Sequence, residues 1–498
     1  MGGLVANSNV LVLPVLLPLA AAAGSLPVSL VWQRRWAIAA VTAHLGVSLV
    51  LLFWLARGEV LALQVAAWPA PFGITFVGDT FTGLLLANMS LIAWFVTVYA
   101  TASVPENTQR LAFYPLALVL LAGVSGAVLT GDLFNLYVWY EVLLMASFVL
   151  LTLGAERTQL EGGLKYVALN LIASAFFLTG VGWLYGSTGT LNLADLSKRM
   201  EELPLTLPRL AGVLLLFVSF GIKAAVFPLF GWLPASYHTP PVAITALFSA
   251  LLTKVGVYSI IRVGTLLLPS PPAALVDALL CVAALTMITG VLGAVAQTEM
   301  KRLLSFHIVS QIGYLVLGYA LYSVAGLAGA IYFFLHVSVA KAVLFLVAGE
   351  LEHQHGTTQL GQLGGGYRDR PVLAAACFIG AMGLAGLPPL SGFFAKLQLA
   401  FAALEQDAVW SLVAALGVSM LTLFSMTKIW AEAFWKQAPG QTSTRAPVSW
   451  AMRVPTVGLS LVTVLLGAFA EPLLGLSEQA AEQLLNRSAY VRAVLGGS

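Results

Sequence analysis

Glu141 stands in Tyr137-Val-Trp-Tyr140-Glu141-Val-Leu-Leu, a carboxylate with no acidic neighbour inside an aromatic and aliphatic run. Lys223, Lys254, Lys341, Lys396 and Lys428 fall in equally apolar surroundings. A lone carboxylate or ammonium deep in a bilayer costs about 2.5 to 3.5 kcal/mol or more, so each needs a partner, water or a changed protonation state. Desolvation favours the neutral carboxyl and the neutral amine, whereas bringing the two together favours both charged forms. A carboxylate whose lysine partner can move away is therefore a proton-loading switch. The competing reading is a fixed ion pair that only holds two helices together.

Lys223 precedes Pro228 by five residues, and Lys396 follows Pro389 by seven. Lys254 lies in Leu252-Thr-Lys254-Val-Gly-Val, and Lys341 is central in its own apolar run. One lysine could snorkel to an interface. Four near mid-span cannot all do so, and with Glu141 they read as a chain of ionisable sites along the midplane. Lys428 differs: Glu432 follows at i+4, which predicts a local pair. His307 shares a helix face with Gln311 and Tyr314, and His336 lies in the next run; both histidines are possible relays near neutral pH, with plain packing as the competing role. His238 follows the second proline of span 7, and His353 and His355 are expected in a loop, where a solvated role is the default. No grouping of His, Cys, Asp and Glu has metal-ligand spacing, so no metal and no cofactor is expected.

These groups need long apolar helices around them. Of 498 residues 59% are hydrophobic and only 9% charged, with a mean hydropathy of +0.93. A soluble domain has about 45 to 50% apolar and about 25% charged residues. The fold class is therefore an all-α polytopic membrane protein with the lipid bilayer as its surroundings. The net charge of +3 leaves no basic face for nucleic acid. Cys281 and Cys377 stand alone, which excludes a CxxC site, and no GxGxxG or GxxxxGK[ST] loop is present for a nucleotide.

Apolar runs of bilayer length predict fourteen spans, near residues 7–29, 36–56, 80–102, 111–130, 133–153, 163–186, 208–236, 243–265, 273–296, 303–323, 326–349, 372–401, 408–433 and 455–475. Ala21 to Gly24 resembles a leader cleavage site, but no Lys or Arg precedes it, so the first run is read as a span. Glu59 to Asp79, with Pro69, Pro71 and Gly73, predicts an interfacial hairpin. Arg34, Arg35, Arg110, Arg157, Lys165, Lys301, Arg302, Arg368, Arg370, Lys436, Arg445 and Arg453 collect on one side; Arg57, Lys198, Arg199, Arg209, Arg262, Arg487 and Arg492 collect on the other. The positive-inside rule assigns the first set to the cytoplasm and both termini to the outside of the cell's inner or plasma membrane.

The chain also echoes itself. Gly163-Leu-Lys-Tyr166 matches Gly329-Ala-Ile-Tyr332, Thr190-Leu-Asn-Leu193 matches Thr357-Thr-Gln-Leu360, and Pro228-Leu-Phe-Gly231-Trp232 matches Pro389-Leu-Ser-Gly392-Phe393. Matched spans differ by five, an odd number, so the copies should be inverted relative to each other. The expected organisation is an N-terminal unit over 1–110 with spans 1 to 3, a first repeat over 111–265 (spans 4 to 8), a second over 273–435 (spans 9 to 13), and 436–498 with span 14 and a tail. Pro228 and Pro234 predict a break in span 7, and Pro388, Pro389 and their neighbouring glycines predict one in span 12.

At these residues the chain resembles the antiporter-like subunits of respiratory complex I and of Mrp-type multisubunit cation/proton antiporters. The carrying segments are Asn135-Leu-Tyr-Val-Trp-Tyr-Glu141, Phe220-Gly-Ile-Lys223-Ala-Ala-Val-Phe-Pro-Leu-Phe-Gly-Trp-Leu-Pro, Leu251-Leu-Thr-Lys254-Val-Gly-Val-Tyr and Gly386-Leu-Pro-Pro-Leu-Ser-Gly-Phe-Phe-Ala-Lys396. Gly163-Leu-Lys-Tyr-Val-Ala-Leu-Asn, the stretch from Gly186 to Leu196 and His238-Thr-Pro-Pro-Val-Ala are most similar to the D subunit of the Mrp antiporter. The resemblance implies a secondary transporter subunit and not an enzyme. Protons would move by Glu141 and Lys223 in exchange for a monovalent cation, Na+ being the expected one, and other antiporter subunits would be the partners. Two alternatives stand: a proton-pumping subunit of complex I or a membrane-bound hydrogenase, and a purely structural membrane subunit. Many members place a histidine four residues before the span 11 lysine. Here that position is Val337, and His336 is five residues away, about 140° around a helix, which weakens a relay from His336 to Lys341. The short stretch after span 14, with no long lateral helix, implies a subunit other than the largest ones of the family.

Overall fold

The computed structural model describes residues 8–202, 204, 206–437 and 448–496, so Arg445 lies outside the described residues. The framework opens with α1 (Leu13–Ser25), α2 (Leu30–Leu55), α3 (Thr80–Ser103), α4 (Phe113–Leu129), α5 (Leu133–Thr152) and α6 (Arg157–Thr188). It continues with α7a (Leu207–Ala224), α7b (Trp232–Ser236), α8 (Val242–Leu267), α9 (Ala273–Val295), α10 (Met300–Ala320) and α11 (Val324–His355). Then follow α12a (Pro371–Ala385), α12b (Ser391–Glu405), α13 (Val409–Trp430) and α14 (Trp450–Ala468). Among the described residues twelve helices are long and apolar enough to cross a membrane, and the protein is a multi-pass membrane protein. The two remaining predicted spans fall on shorter apolar helices, α4 and α12a.

Both predicted breaks are present, and so is the hairpin. Residues 61–64 and 75–78 pair as antiparallel strands with Leu61 opposite Gly78. Beyond α14 the expectation of a plain tail is corrected. The predicted run 455–475 is cut at Phe469, whose ψ of 38° leaves the helical region, and α15 (Ala470–Leu485) and α16 (Ser488–Leu495) follow. Glu471 and Pro472 suit the first turn of a new helix, one by its charge and the other by its fixed φ. Ser477, Ala480, Ala481 and Leu484 give α15 a buried face, and it packs against α11 and α3.

Helices that are apolar all round belong in the interior of a bundle. Every residue of α8 is buried, as is α11 from Gly326 to Leu351. α11 is the hub, packed by α3, α8, α12a, α12b, α14 and α15. The outer helices α2, α6 and α13 instead expose large apolar side chains such as Phe53, Leu171, Trp183, Met420 and Phe424.

One succession of elements occurs twice. Asp132 caps α5 through the Asn135 amide, and Glu299 caps α10 through the Lys301 and Arg302 amides. Asp132 bridges to Asn192 and Glu299 to Gln359, past 32-residue helices α6 and α11 that both end at a left-handed glycine, Gly189 and Gly356. These landmarks keep one spacing along the chain, which is why local sequence matches of similar offset are detectable.

Candidate functional site

α7a stops at Ala224 because Pro228 has no amide donor to continue the ladder. Ala225 turns left-handed at φ 62°, the Trp232 indole donates to the Ile222 carbonyl at 2.9 Å, and the Phe227 amide donates to Thr286 Oγ1 of α9 at 3.0 Å. Lys223 sits in the last turn before this break, buried, with its Nζ 4.8 Å from the Tyr140 ring centroid. Tyr140 is held in place by its hydroxyl, 2.9 Å from Ser259 Oγ of α8. Lys223, Tyr140, Tyr166, Asn170 and Trp232 line a cavity of about 20 Å³, room for roughly one water.

Glu141 faces the other way. Ser174 Oγ of α6 donates to Glu141 Oε1 at 2.5 Å, and the residue is half-buried. The charges of Glu141 and Lys223 interact, yet no ion pair within 4.0 Å joins them. The two charges therefore lie apart, with Ser174 against the carboxylate and the aromatic ring of Tyr140 beside the ammonium.

The second break repeats this chemistry with its parts exchanged. α12a ends at Ala385, Gly386 turns left-handed at φ 90°, and α12b starts at Ser391. Lys396, on the far side of the break, donates to the carbonyls of Leu384 at 3.1 Å and Ala385 at 3.0 Å, which the break deprives of helical partners. Its Nζ also lies 5.0 Å from the Tyr314 ring centroid. His336 Nδ1 is 2.7 Å from Ser391 Oγ, and its Nε2 has no partner among the described residues. The two halves of the break approach closely at Gly392, where an added Cβ would collide with the Gly383 carbonyl and lie 2.7 Å from His336 Nε2.

Between the breaks, Lys254 donates to the Ser249 carbonyl at 2.6 Å, and Lys341 donates to the Leu304 carbonyl of α10 at 3.0 Å. Lys254 and Lys341 interact electrostatically, and His307 feels both Lys341 and Lys396. His307 Nε2 is 2.6 Å from Ser425 Oγ, while its Nδ1 and both amide atoms of Gln311 are buried without partners among the described residues. Lys341, His307, Gln311 and Lys396 thus form one polar neighbourhood. Between Lys223 and Lys254 lies the packing of α7a on α8, tight enough that a Cβ on Gly256 would lie 2.7 Å from the Ala224 amide nitrogen.

His336 serves the α12 break beside Lys396 rather than Lys341, as its position around α11 dictates. Lys428 does not pair with Glu432: it donates to the Val295 and Gln297 carbonyls at the C-terminus of α9, and Glu432 pairs with Lys436 at 2.9 Å. A lysine that reaches a helix C-terminus finds several bare carbonyls at once. His353 and His355 are not in a loop but in the last turn of α11. Arg262, counted among the cations of one membrane side, is buried and grips Asp79 with two hydrogen bonds of 2.6 and 2.7 Å.

Sequence reasoning missed Tyr140 as the ring under Lys223, Ser174 as the Glu141 partner, and Glu350, which is buried near the end of α11. The first adjoins Glu141 in sequence and was visible as an aromatic neighbour. The last stood one residue outside the apolar run 326–349. His44 was also overlooked, but its ring nitrogens are met by Ser90, Ser125 and the Pro14 carbonyl, so it serves packing.

The family model described as NADH:quinone oxidoreductase/Mrp antiporter, TM matches residues 130–422. The chain is 41% identical over 495 residues to the D subunit of the Na(+)/H(+) antiporter of Alkalihalophilus pseudofirmus, covering 98% of this chain and 99% of the relative. It is 39% identical to the D subunit of the Na(+)/H(+) antiporter of Bacillus subtilis, with 98% and 99% covered. Its fold superimposes with a TM-score of 0.92 on a chain in the structure of the Mrp complex from Dietzia sp. DQ12-45-1b, at 34% identity over 98% of this chain and 99% of that one.

Proposed function

The chain belongs to the NADH:quinone oxidoreductase/Mrp antiporter transmembrane family, and from that membership we propose that it is the D-type, proton-translocating subunit of a multisubunit Na+/H+ antiporter. It is a transporter subunit rather than a catalytic enzyme, and other antiporter subunits are its partners. The spans of the two similar segments, 111–265 and 273–435, are inverted relative to each other, and the first set of cations faces the cytoplasm with both termini outside.

The observation that carries the reading is the Glu141, Tyr140 and Lys223 arrangement at the α7 break. With Lys223 near, the Glu141 carboxylate stays ionised because opposite charges favour each other. With Lys223 drawn over Tyr140 and toward α8, the carboxylate takes up a proton and Ser174 keeps the side chain in place. Lys254, Lys341 and Lys396, each resting on a backbone carbonyl, pass charge along the interior, with His307 and His336 as the nitrogen bases between and beside them. No bond other than those to the proton is made or broken.

The test is Na+ flux driven by a pH gradient in vesicles holding the whole complex. Glu141→Gln and Lys223→Ala should each abolish exchange at unchanged complex abundance. Full exchange in Glu141→Gln would overturn the proton-loading role. The chain purified alone should exchange nothing.

A further inference from the structure

Glu350 has no part in the chain of lysines, yet it is a buried carboxylate on α11, the hub helix. It lines a cavity of about 110 Å³ with Asp369, Arg370, Arg453 and Thr456. Its Oε1 is buried with no hydrogen-bond partner among the described residues, while Arg370 and Arg453 act on its charge and the Thr456 hydroxyl lies against the carboxylate. The buried Tyr99 hydroxyl of α3 interacts with its charge and donates to the Leu346 carbonyl at 3.0 Å. A carboxylate kept in place only to pair two helices would have its oxygens satisfied. This one has an unclaimed oxygen in a cavity large enough for several waters.

From that cavity a file of hydroxyls leads inward on one face of α14. Thr456, Ser460 and Thr463 are all buried and follow one another at i+4 and i+3. Their hydroxyls donate to the carbonyls of Met452, Thr456 and Leu459 at 3.0, 2.7 and 3.0 Å, and residues so spaced stack about 5 to 6 Å apart, a gap of the size that one bridging water can span. The file ends at the α12 break: Ser391 Oγ donates to the Thr463 carbonyl at 3.3 Å and lies 2.7 Å from His336 Nδ1. His336 in turn interacts with Lys396. α14 is pressed onto this break, since a Cβ on Gly467 would lie 2.6 Å from the Pro389 carbonyl oxygen.

We propose that Glu350 is the cytoplasm-facing proton intake for the second half of the pathway, connected through Thr456, Ser460, Thr463 and Ser391 to His336 and Lys396. This rests on the reading of the buried lysines as proton carriers. Glu350 takes a proton from water in the cavity and releases it inward, returning to the carboxylate. Each hydroxyl turns from the backbone carbonyl it faces here, accepts one proton as it gives up another and ends unchanged. Water carries the proton from the Thr463 hydroxyl to Ser391, because Ser391 meets Thr463 only at its carbonyl, and the proton comes to rest on the His336 ring or the Lys396 amine.

The experiment compares exchange and proton uptake in vesicles of the whole complex at equal abundance. Glu350→Gln should lower both by about tenfold or more, the scale of losing a positioned proton-transfer group, while Glu350→Asp keeps part. The combined change Thr456→Val with Ser460→Ala should lower them several-fold, and Thr456→Ser, which keeps the hydroxyl, should leave them near wild type. If Glu350→Gln does not assemble, the hydroxyl variants decide the matter. Full exchange in Glu350→Gln and in the hydroxyl pair, with Glu141→Gln inactive, would overturn the intake and leave the lysine pathway standing. Full exchange in Glu141→Gln as well would remove both.

Discussion

Lys223 rests 4.8 Å from the ring centroid of Tyr140, while Glu141, the next residue along α5, is turned away to Ser174. The same pairing recurs at the other break, where Lys396 rests 5.0 Å from the Tyr314 ring centroid. A buried ammonium over an aromatic face gains about 0.5 to 2 kcal/mol, a modest hold that a moving charge can leave.

Tyr140 is accordingly predicted to tune the pair rather than to carry protons. Tyr140→Phe keeps the ring and should retain most exchange. Tyr140→Leu removes the resting place of the ammonium and should lower the exchange rate by roughly the tenfold that about 1.4 kcal/mol represents. The check is vesicle exchange for both variants at equal abundance; equal rates in the two would refute it.

For Glu141 and Lys223, a neutral double variant distinguishes proton loading from a structural pair. Glu141→Gln with Lys223→Ala should assemble and still fail to exchange. Recovery of exchange in the double variant would mean that the two charges only balance each other.

The Asp79 and Arg262 pair is a structural clamp between α3 and α8, closed over by Tyr258 and Tyr490. Removing one partner leaves a buried charge and should cost about 3 to 5 kcal/mol. Asp79→Ala should therefore lower the melting temperature or the yield of the complex, and Asp79→Leu with Arg262→Met should recover much of the loss. A melting temperature unchanged in Asp79→Ala would show that the pair contributes nothing.

Gly392→Val should block the close contact of α12a with α12b and with His336. Loss of assembled complex on a native gel is the expected result. Gly417→Val is the control, because a Cβ there meets nothing within 4 Å.

Lys428→Ala should lower stability by about 1 kcal/mol or less, the scale of a charge at a helix C-terminus, since Lys428 satisfies carbonyls at the end of α9. Glu432→Ala should leave that contact intact. Equal thermal shifts in both variants would instead favour a Lys428 and Glu432 pair.

The membrane class, the apolar runs, the two proline breaks and the lone intramembrane charges were all legible from the residues. Lipid offers no hydrogen bonds, so each of these features forces an apolar length, a helix end or an ionisable site wherever it stands in the chain. What each charge touches was not legible. Glu141 and Lys223 are 82 positions apart, and only the folding of α5 against α7a places Tyr140 between them. Lys428 passed over its i+4 glutamate because the end of α9, remote in sequence, offered two carbonyls. Arg262 counted only as a cation of one membrane side until α3 brought Asp79 to it. Residue types in their order were enough to mark the groups that lipid makes costly and that must therefore be satisfied. How each one is satisfied was left to the packing, because a buried charge takes whatever partner distant helices bring within hydrogen-bonding range, and one-dimensional spacing records only neighbours on the same helix.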